Sequence, residues 1–91
     1  VSAQRLEFAR RLGLNVARAR VAAGLSQEEL GFRAEFHRNA VGALERGESV
    51  PGADTLVRIA GALGVEPGAL YAGIAWQPGE LAPGDFVEGE Q

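Results

Sequence analysis

Arg38 and Asn39 stand side by side in a stretch of helical period, and both are residue types that grip flat, polar edges. A guanidinium can pair bidentately with guanine O6 and N7, and a carboxamide with adenine N6 and N7. The same two side chains serve equally well as an ordinary solvated helix face, so their chemistry alone leaves both readings open. Other chemistries are excluded more firmly. Cysteine is absent, which removes disulfides, thiol catalysis and cysteine-based zinc sites. The one histidine, His37, cannot build a His-rich metal centre and reads as a helix cap rather than a ligand. No nucleophile–base pair, paired-carboxylate pocket or Gly-rich phosphate loop is present, so no enzyme, metal or cofactor is expected.

The charge is uneven. Net charge is −3 over 91 residues, which by itself argues weakly against a polyanionic partner. From Ile74 onward the chain carries Glu80, Asp85, Glu88 and Glu90 and no base. Residues 1–73 hold nine bases, all arginine, against eight acids, a net of +1. A near-neutral body still binds nucleic acid if its arginines share one face.

The elements that must position these residues are helical. The length allows one small domain with a modest core. Leu6, Ala9, Leu12, Val16, Ala19 and Ala23 recur at steps of three or four, the apolar face of a long first helix. Ser2 is its expected N-cap and Gly24 its C-terminal cap. Gly13 within it marks a kink or the close approach of another helix. Ser26-Gln27-Glu28-Glu29 forms a capping box that opens a short helix to about Ala34. A second short helix runs from about Arg38 to Gly47, with His37 in the N-cap slot. Two short helices joined by about three residues are a helix-turn-helix arrangement. Leu56, Ile59, Ala60 and Leu63 mark a fourth helix, and Pro67 opens a last one. The tail, with its paired Pro-Gly turns, is expected as a short extended arm laying Trp76 and Phe86 on the body, or as a partly disordered one.

Three separated blocks carry a family likeness. Gly24-Leu25-Ser26-Gln27-Glu28-Glu29-Leu30, then Val41…Leu44-Glu45-Arg46-Gly47, then Leu56…Ile59-Ala60…Leu63-Gly64-Val65 together resemble the phage lambda repressor/Cro (Xre-type) family, over about Leu12 to Gly73. The resemblance implies an all-α, five-helix lambda-repressor-like domain over residues 1–73, followed by an acidic arm over 74–91. Leu30, Phe36, Val41 and Leu44 fill the apolar positions that lock the two helices, and Gly31 is the small residue at their crossing. Glu35 stands where the family usually has glycine, at a cost of about 1–2 kcal/mol if the turn stays left-handed.

What the resemblance implies for function is sequence-specific binding of double-stranded DNA by a transcriptional regulator in the cytoplasm. It places a recognition helix at about 38–46, with Arg38, Asn39, Gly42 and Ala43 facing outward, opposite Val41 and Leu44. Gln27 would lie on the DNA backbone and brace the first recognition-helix side chain, His37 would neighbour a phosphate and Arg46 would contact one. Arg20 would pair with Glu45 and clamp the recognition helix to the first helix. A homodimer is expected at least on DNA, formed through Leu70, Tyr71, Ile74, Trp76 and Phe86. The alternative is a protein-interaction module, or an antitoxin, that captures a protein partner through the arm. No apolar run approaches the ~20 residues of a membrane span. The charged N-terminal residues lack a secretory h-region.

Overall fold

The computed structural model describes residues 3–89. It contains α1 (Ala3–Ala22), α2 (Gln27–Ala34), α3 (Arg38–Glu45) and α4 (Ala53–Leu63), then a 3₁₀ helix (Pro67–Tyr71) and the strands β1 (Ile74–Gln77) and β2 (Asp85–Glu88). The first four helices match the expected positions. The fifth is a single 3₁₀ turn, and the expected N-cap Ser2 lies outside the described residues. No helix among the described residues is long and apolar enough to cross a membrane.

One core joins all the helices. Leu12 and Val16 of α1, Leu30 of α2, Val41 and Leu44 of α3, Ile59 of α4 and Leu70 of the 3₁₀ turn lose all or nearly all of their solvent contact. These are the i, i+3, i+4 positions of each amphipathic face, which is why four short helices with little stability of their own hold together. The predicted α1 face is correct from Ala9 to Val16 and frays at its ends: Leu6 is 41% exposed, and Ala23 lies exposed beyond the helix.

Two glycines set the approach of α3. A Cβ on Gly13 would meet the carbonyl oxygen of Leu44 and stand 2.9 Å from that of Glu45. Gly13 is therefore the point where α1 touches the end of α3, not a kink. A Cβ on Gly31 would strike the carbonyl oxygen of Phe36 at the helix-turn-helix corner. Both obstacles are backbone, so a larger residue would push α3 away from the body.

Glu35 closes α2 in the left-handed region, at φ 53° and ψ 48°, and its N–H donates to the carbonyls of Gly31 and Phe32. It is the one described non-glycine residue with positive φ. The turn thus keeps its left-handed form at the expense of strain. Glu35→Gly is expected to relieve about 1–2 kcal/mol and to give part of it back to the more flexible unfolded chain. A net rise in Tm of roughly 4 °C should follow in thermal denaturation.

The tail is a correction. Residues 74–88 form an antiparallel hairpin, not an extended arm, with Ile74 opposite Glu88, Ala75 opposite Val87, Trp76 opposite Phe86 and Gln77 opposite Asp85. The cross-strand aromatic pair explains it: the rings of Trp76 and Phe86 meet edge to face with centroids 4.9 Å apart. Phe86 in turn packs on Phe8 of α1 at 5.0 Å, and Tyr71 lies 6.3 Å from the same ring. Polar contacts fasten the hairpin to α1: the Gln4 amide donates to the Gly84 carbonyl and Arg11 to that of Gly73. Asn15 donates to the carbonyls of Leu70 and Ala72, 2.9 Å each.

Candidate nucleic-acid interface

The site is built on α2 and α3. The Ser26 hydroxyl accepts from the Glu29 N–H at 3.0 Å, and the Glu29 carboxylate accepts from the Ser26 N–H at 2.9 Å. This reciprocal box fixes the first turn of α2 and so the position of Gln27. At the start of α3, His37 Nδ1 accepts from the Asn39 N–H at 3.0 Å, so the imidazole caps the helix as expected. Val41 and Leu44 face the core, which turns Arg38 and Asn39 outward to solvent.

The Ser26 backbone hydrogen bond, reinforced by the Ser26 hydroxyl, holds the Glu29 carboxyl below its ordinary range. The folded state therefore binds fewer protons than the unfolded one near pH 4. The stability that results is complete above the unfolded value of about 4.3 and is lost as pH falls through the lower folded value. Glu29→Gln keeps a capping amide but cannot titrate. Thermal melts between pH 6 and pH 3 should show a shallower acid loss of Tm in that variant than in the parent.

Behind α3 sits the Arg20–Glu45 pair. Arg20 Nε donates to Glu45 Oε2 at 2.7 Å and Nη2 to Oε1 at 3.1 Å, a bidentate bridge. Arg20 Nη1 also donates to the Leu25 carbonyl at 2.8 Å, which ties the bridge to the α1–α2 connection. The Glu45 hydrogen bond raises the Arg20 pKa. Gln27 Nε2 completes the cluster, donating to Glu45 Oε1 at 3.0 Å. One carboxylate thus joins α1, α2 and α3.

Three placements differ from the sequence reading. Gln27 does not brace the first side chain of α3; its amide is spent on Glu45. That bracing falls to Glu28, whose Oε2 accepts from Arg38 Nη1 at 3.1 Å. Gly42 is buried rather than outward: a Cβ there would lie 2.9 Å from Arg46 Nη1 and 3.6 Å from Gln27 Oε1. The long side chains of Arg46 and Gln27 close over it, so the face beside half-buried Ala43 belongs to them. Leu70 is a core residue, which withdraws it from any dimer surface.

Arg46 Nε donates to Glu48 Oε2 at 2.8 Å and Nη2 to Oε1 at 3.1 Å. Their hydrogen bonds raise the Arg46 pKa and lower that of Glu48. The two outward arginines are thus each held by a carboxylate, but in solvent: Arg38 is 62% and Arg46 61% exposed. Exposed pairs of this kind add little to stability, so either arginine gives up its carboxylate readily for a base or a phosphate. Sequence reasoning missed Glu28, which reaches Arg38 only because the turn folds α2 back onto the start of α3.

Comparison with known proteins agrees with this fold. Residues 16–70 match the helix-turn-helix family model HTH_3. An uncharacterised HTH-type transcriptional regulator of Sinorhizobium fredii, y4dJ, is 40% identical over 60 residues, covering 66% of this chain and 78% of its own. The restriction-modification controller protein C.AhdI of Aeromonas hydrophila superposes with a TM-score of 0.67 at 35% identity, over 68% of this chain and 94% of that one. An HTH_3 family transcriptional regulator from Vibrio cholerae superposes with a TM-score of 0.71 at 28% identity, over 75% and 38% of the two chains.

Proposed function

The chain belongs to the HTH_3 helix-turn-helix family and is a DNA-binding transcriptional regulator; from that premise we propose that α3 enters the major groove and reads sequence there. The observation that carries this reading is the exposed start of α3, Arg38 and Asn39, opposite a buried Val41 and Leu44 on a helix clamped to the body by Glu45. Arg38 pairs with guanine, steadied by Glu28. Asn39 takes an adenine or a phosphate, and the Ala43 methyl meets a thymine methyl. Gln27, His37 and Arg46 lie along the backbone, with Gly42 as the recess that lets Gln27 and Arg46 lie flat. The protein acts in the cytoplasm, where its DNA is.

A single α3 reads roughly four or five base pairs, too few to mark one site among ~10⁶ competitors. The regulator therefore binds as a two-fold pair, with half-sites about one helical turn, ~34 Å, apart. Tyr71, Trp76 and Leu81, at 38%, 50% and 103% exposure, are the exposed large apolar residues of the 3₁₀ turn and the hairpin and offer a surface for that contact. Trp76→Gln with Leu81→Gln should halve the mass at sedimentation equilibrium and shorten the footprint; unchanged mass and footprint would move the dimer contact elsewhere.

DNA binding itself is tested by titrating duplex DNA at several salt concentrations. The logarithm of the affinity should fall linearly with the logarithm of salt, by about 0.9 for each phosphate contacted. Affinity indifferent to salt would overturn the reading.

A further inference from the structure

A hairpin of two strands leaves one side of each strand unpaired. The Gly89 N–H donates to the Gly73 carbonyl at 2.9 Å, which makes these two residues a hydrogen-bonded pair at the foot of the hairpin. Bonded and non-bonded pairs alternate along an antiparallel ladder, so Ala75 bonds Val87 and Gln77 bonds Asp85. The N–H and C=O groups of Ile74 and Trp76 therefore point away from β2. Among the described residues, no backbone bond from another element reaches them.

The two edges differ. β2 carries a carboxylate at each end, Asp85 and Glu88, and packs on α1 through Phe86. β1, Ile74-Ala75-Trp76-Gln77, has no charge, no proline and no bulge in its register, the devices that keep an edge from pairing. It is also within reach, since every residue from Trp76 to Pro83 is exposed. The Trp76 ring does not cover the edge. It leans toward β2, against Phe86 and over Gly84, where a Cβ would lie 3.0 Å from its Cε2.

This geometry selects one occupant. Ile74 and Trp76 stand symmetrically about Ala75, so a second β1 running antiparallel meets the first on a two-fold axis at Ala75. Ile74 then exchanges both backbone bonds with the partner's Trp76, and Trp76 with the partner's Ile74. Each Trp76 gains a β-branched neighbour directly opposite, a favourable cross-strand pair. Ala75 meets its own copy on the other face, where its small side chain allows close approach. Such a contact is self-complementary, as a two-fold interface requires. We infer that the free edge of β1 pairs with β1 of a second copy of this chain, joining the two hairpins into one continuous sheet. The inference deepens the two-fold pairing proposed above and rests on it.

The chain has no cysteine, so one introduced thiol reports the register without background. Ala75 and its copy form a non-hydrogen-bonded pair with Cα atoms about 4.5 Å apart, inside the ~4.4–6.8 Å span of a disulfide. Ala75→Cys in the full chain, treated with oxidised glutathione with and without a selected duplex, should give mostly a covalent dimer that a reductant splits. Gln77→Cys should stay uncrosslinked, because its two thiols would lie about 14 Å apart along the sheet. Ala75→Lys sets like charges opposite each other and should weaken dimerisation tenfold or more at sedimentation equilibrium. An uncrosslinked Ala75→Cys variant of a chain that is a dimer by sedimentation would overturn the edge pairing and leave the two-fold reading to another surface. Equal crosslinking of both cysteine variants would also overturn it, because no single register brings both thiols together. A parent chain that stays monomeric and protects a single half-site would overturn edge and two-fold pairing alike, with DNA binding left standing.

Discussion

Arg20→Ala should lower the stability of the fold by about 3 kcal/mol, the cost of leaving a mostly buried carboxylate without its partner. The Glu45 side chain is 7% exposed and that of Arg20 17%, so water replaces little of what is lost. The Leu25 carbonyl also loses its donor. For a domain of this size the change corresponds to a fall in Tm on the order of 15 °C. Glu45→Ala should act similarly, because it strands the guanidinium and frees Gln27. A double-mutant cycle should give a coupling of roughly 0.5–3 kcal/mol. Arg20→Leu with Glu45→Leu should recover part of the loss, since no buried charge then remains unpaired. Additive single variants would show two independent surface charges. The consequence reaches function because the same carboxylate sets the seat of α3 and the position of Gln27.

Arg38→Ala should reduce discrimination at one base pair by about 1–3 kcal/mol, roughly 5- to 150-fold, and leave the other positions of the site unchanged. Arg46→Ala should behave oppositely, weakening every duplex alike and lowering the salt slope by about 1. The contrast follows from their places on α3: Arg38 leaves its first turn into solvent, whereas Arg46 folds back over Gly42 at the far end. Binding constants on a panel of single-base variants of a selected duplex check both. Equal losses on selected and random DNA for both variants would reject the division of roles.

The helices were legible because their ends are written in local chemistry. Ser26 and Glu29 lie three residues apart and form the capping box, and His37 caps α3 two residues ahead of Asn39. The left-handed Glu35 was legible as a departure from a likeness, and the structure retains the strain. Arg20 and Glu45 lie 25 residues apart, so no spacing rule joins them, and only the resemblance did. The hairpin escaped because its strands are four residues long, with seven residues of Pro-Gly turns between them. Its cross-strand pair, Trp76 and Phe86, is backed by Phe8 in α1, nearly eighty residues away, a contact that no local pattern shows. The burial of Gly42 escaped for a related reason. A helical wheel places backbone and not the reach of Arg46 and Gln27, which cover a residue that the wheel turns outward.

If the exposed start of α3 reads DNA sequence, its loss must change which sequences are bound. Selection of bound sites from a pool of random duplexes, run in parallel on the parent chain and on Arg38→Ala, tests it most directly. The parent should enrich a two-fold related site with half-sites about one turn apart and a guanine at a fixed position in each. Arg38→Ala should enrich the same site with that guanine relaxed. A parent chain that binds duplex DNA but enriches no sequence, or an Arg38→Ala variant that enriches the unaltered site, would contradict it.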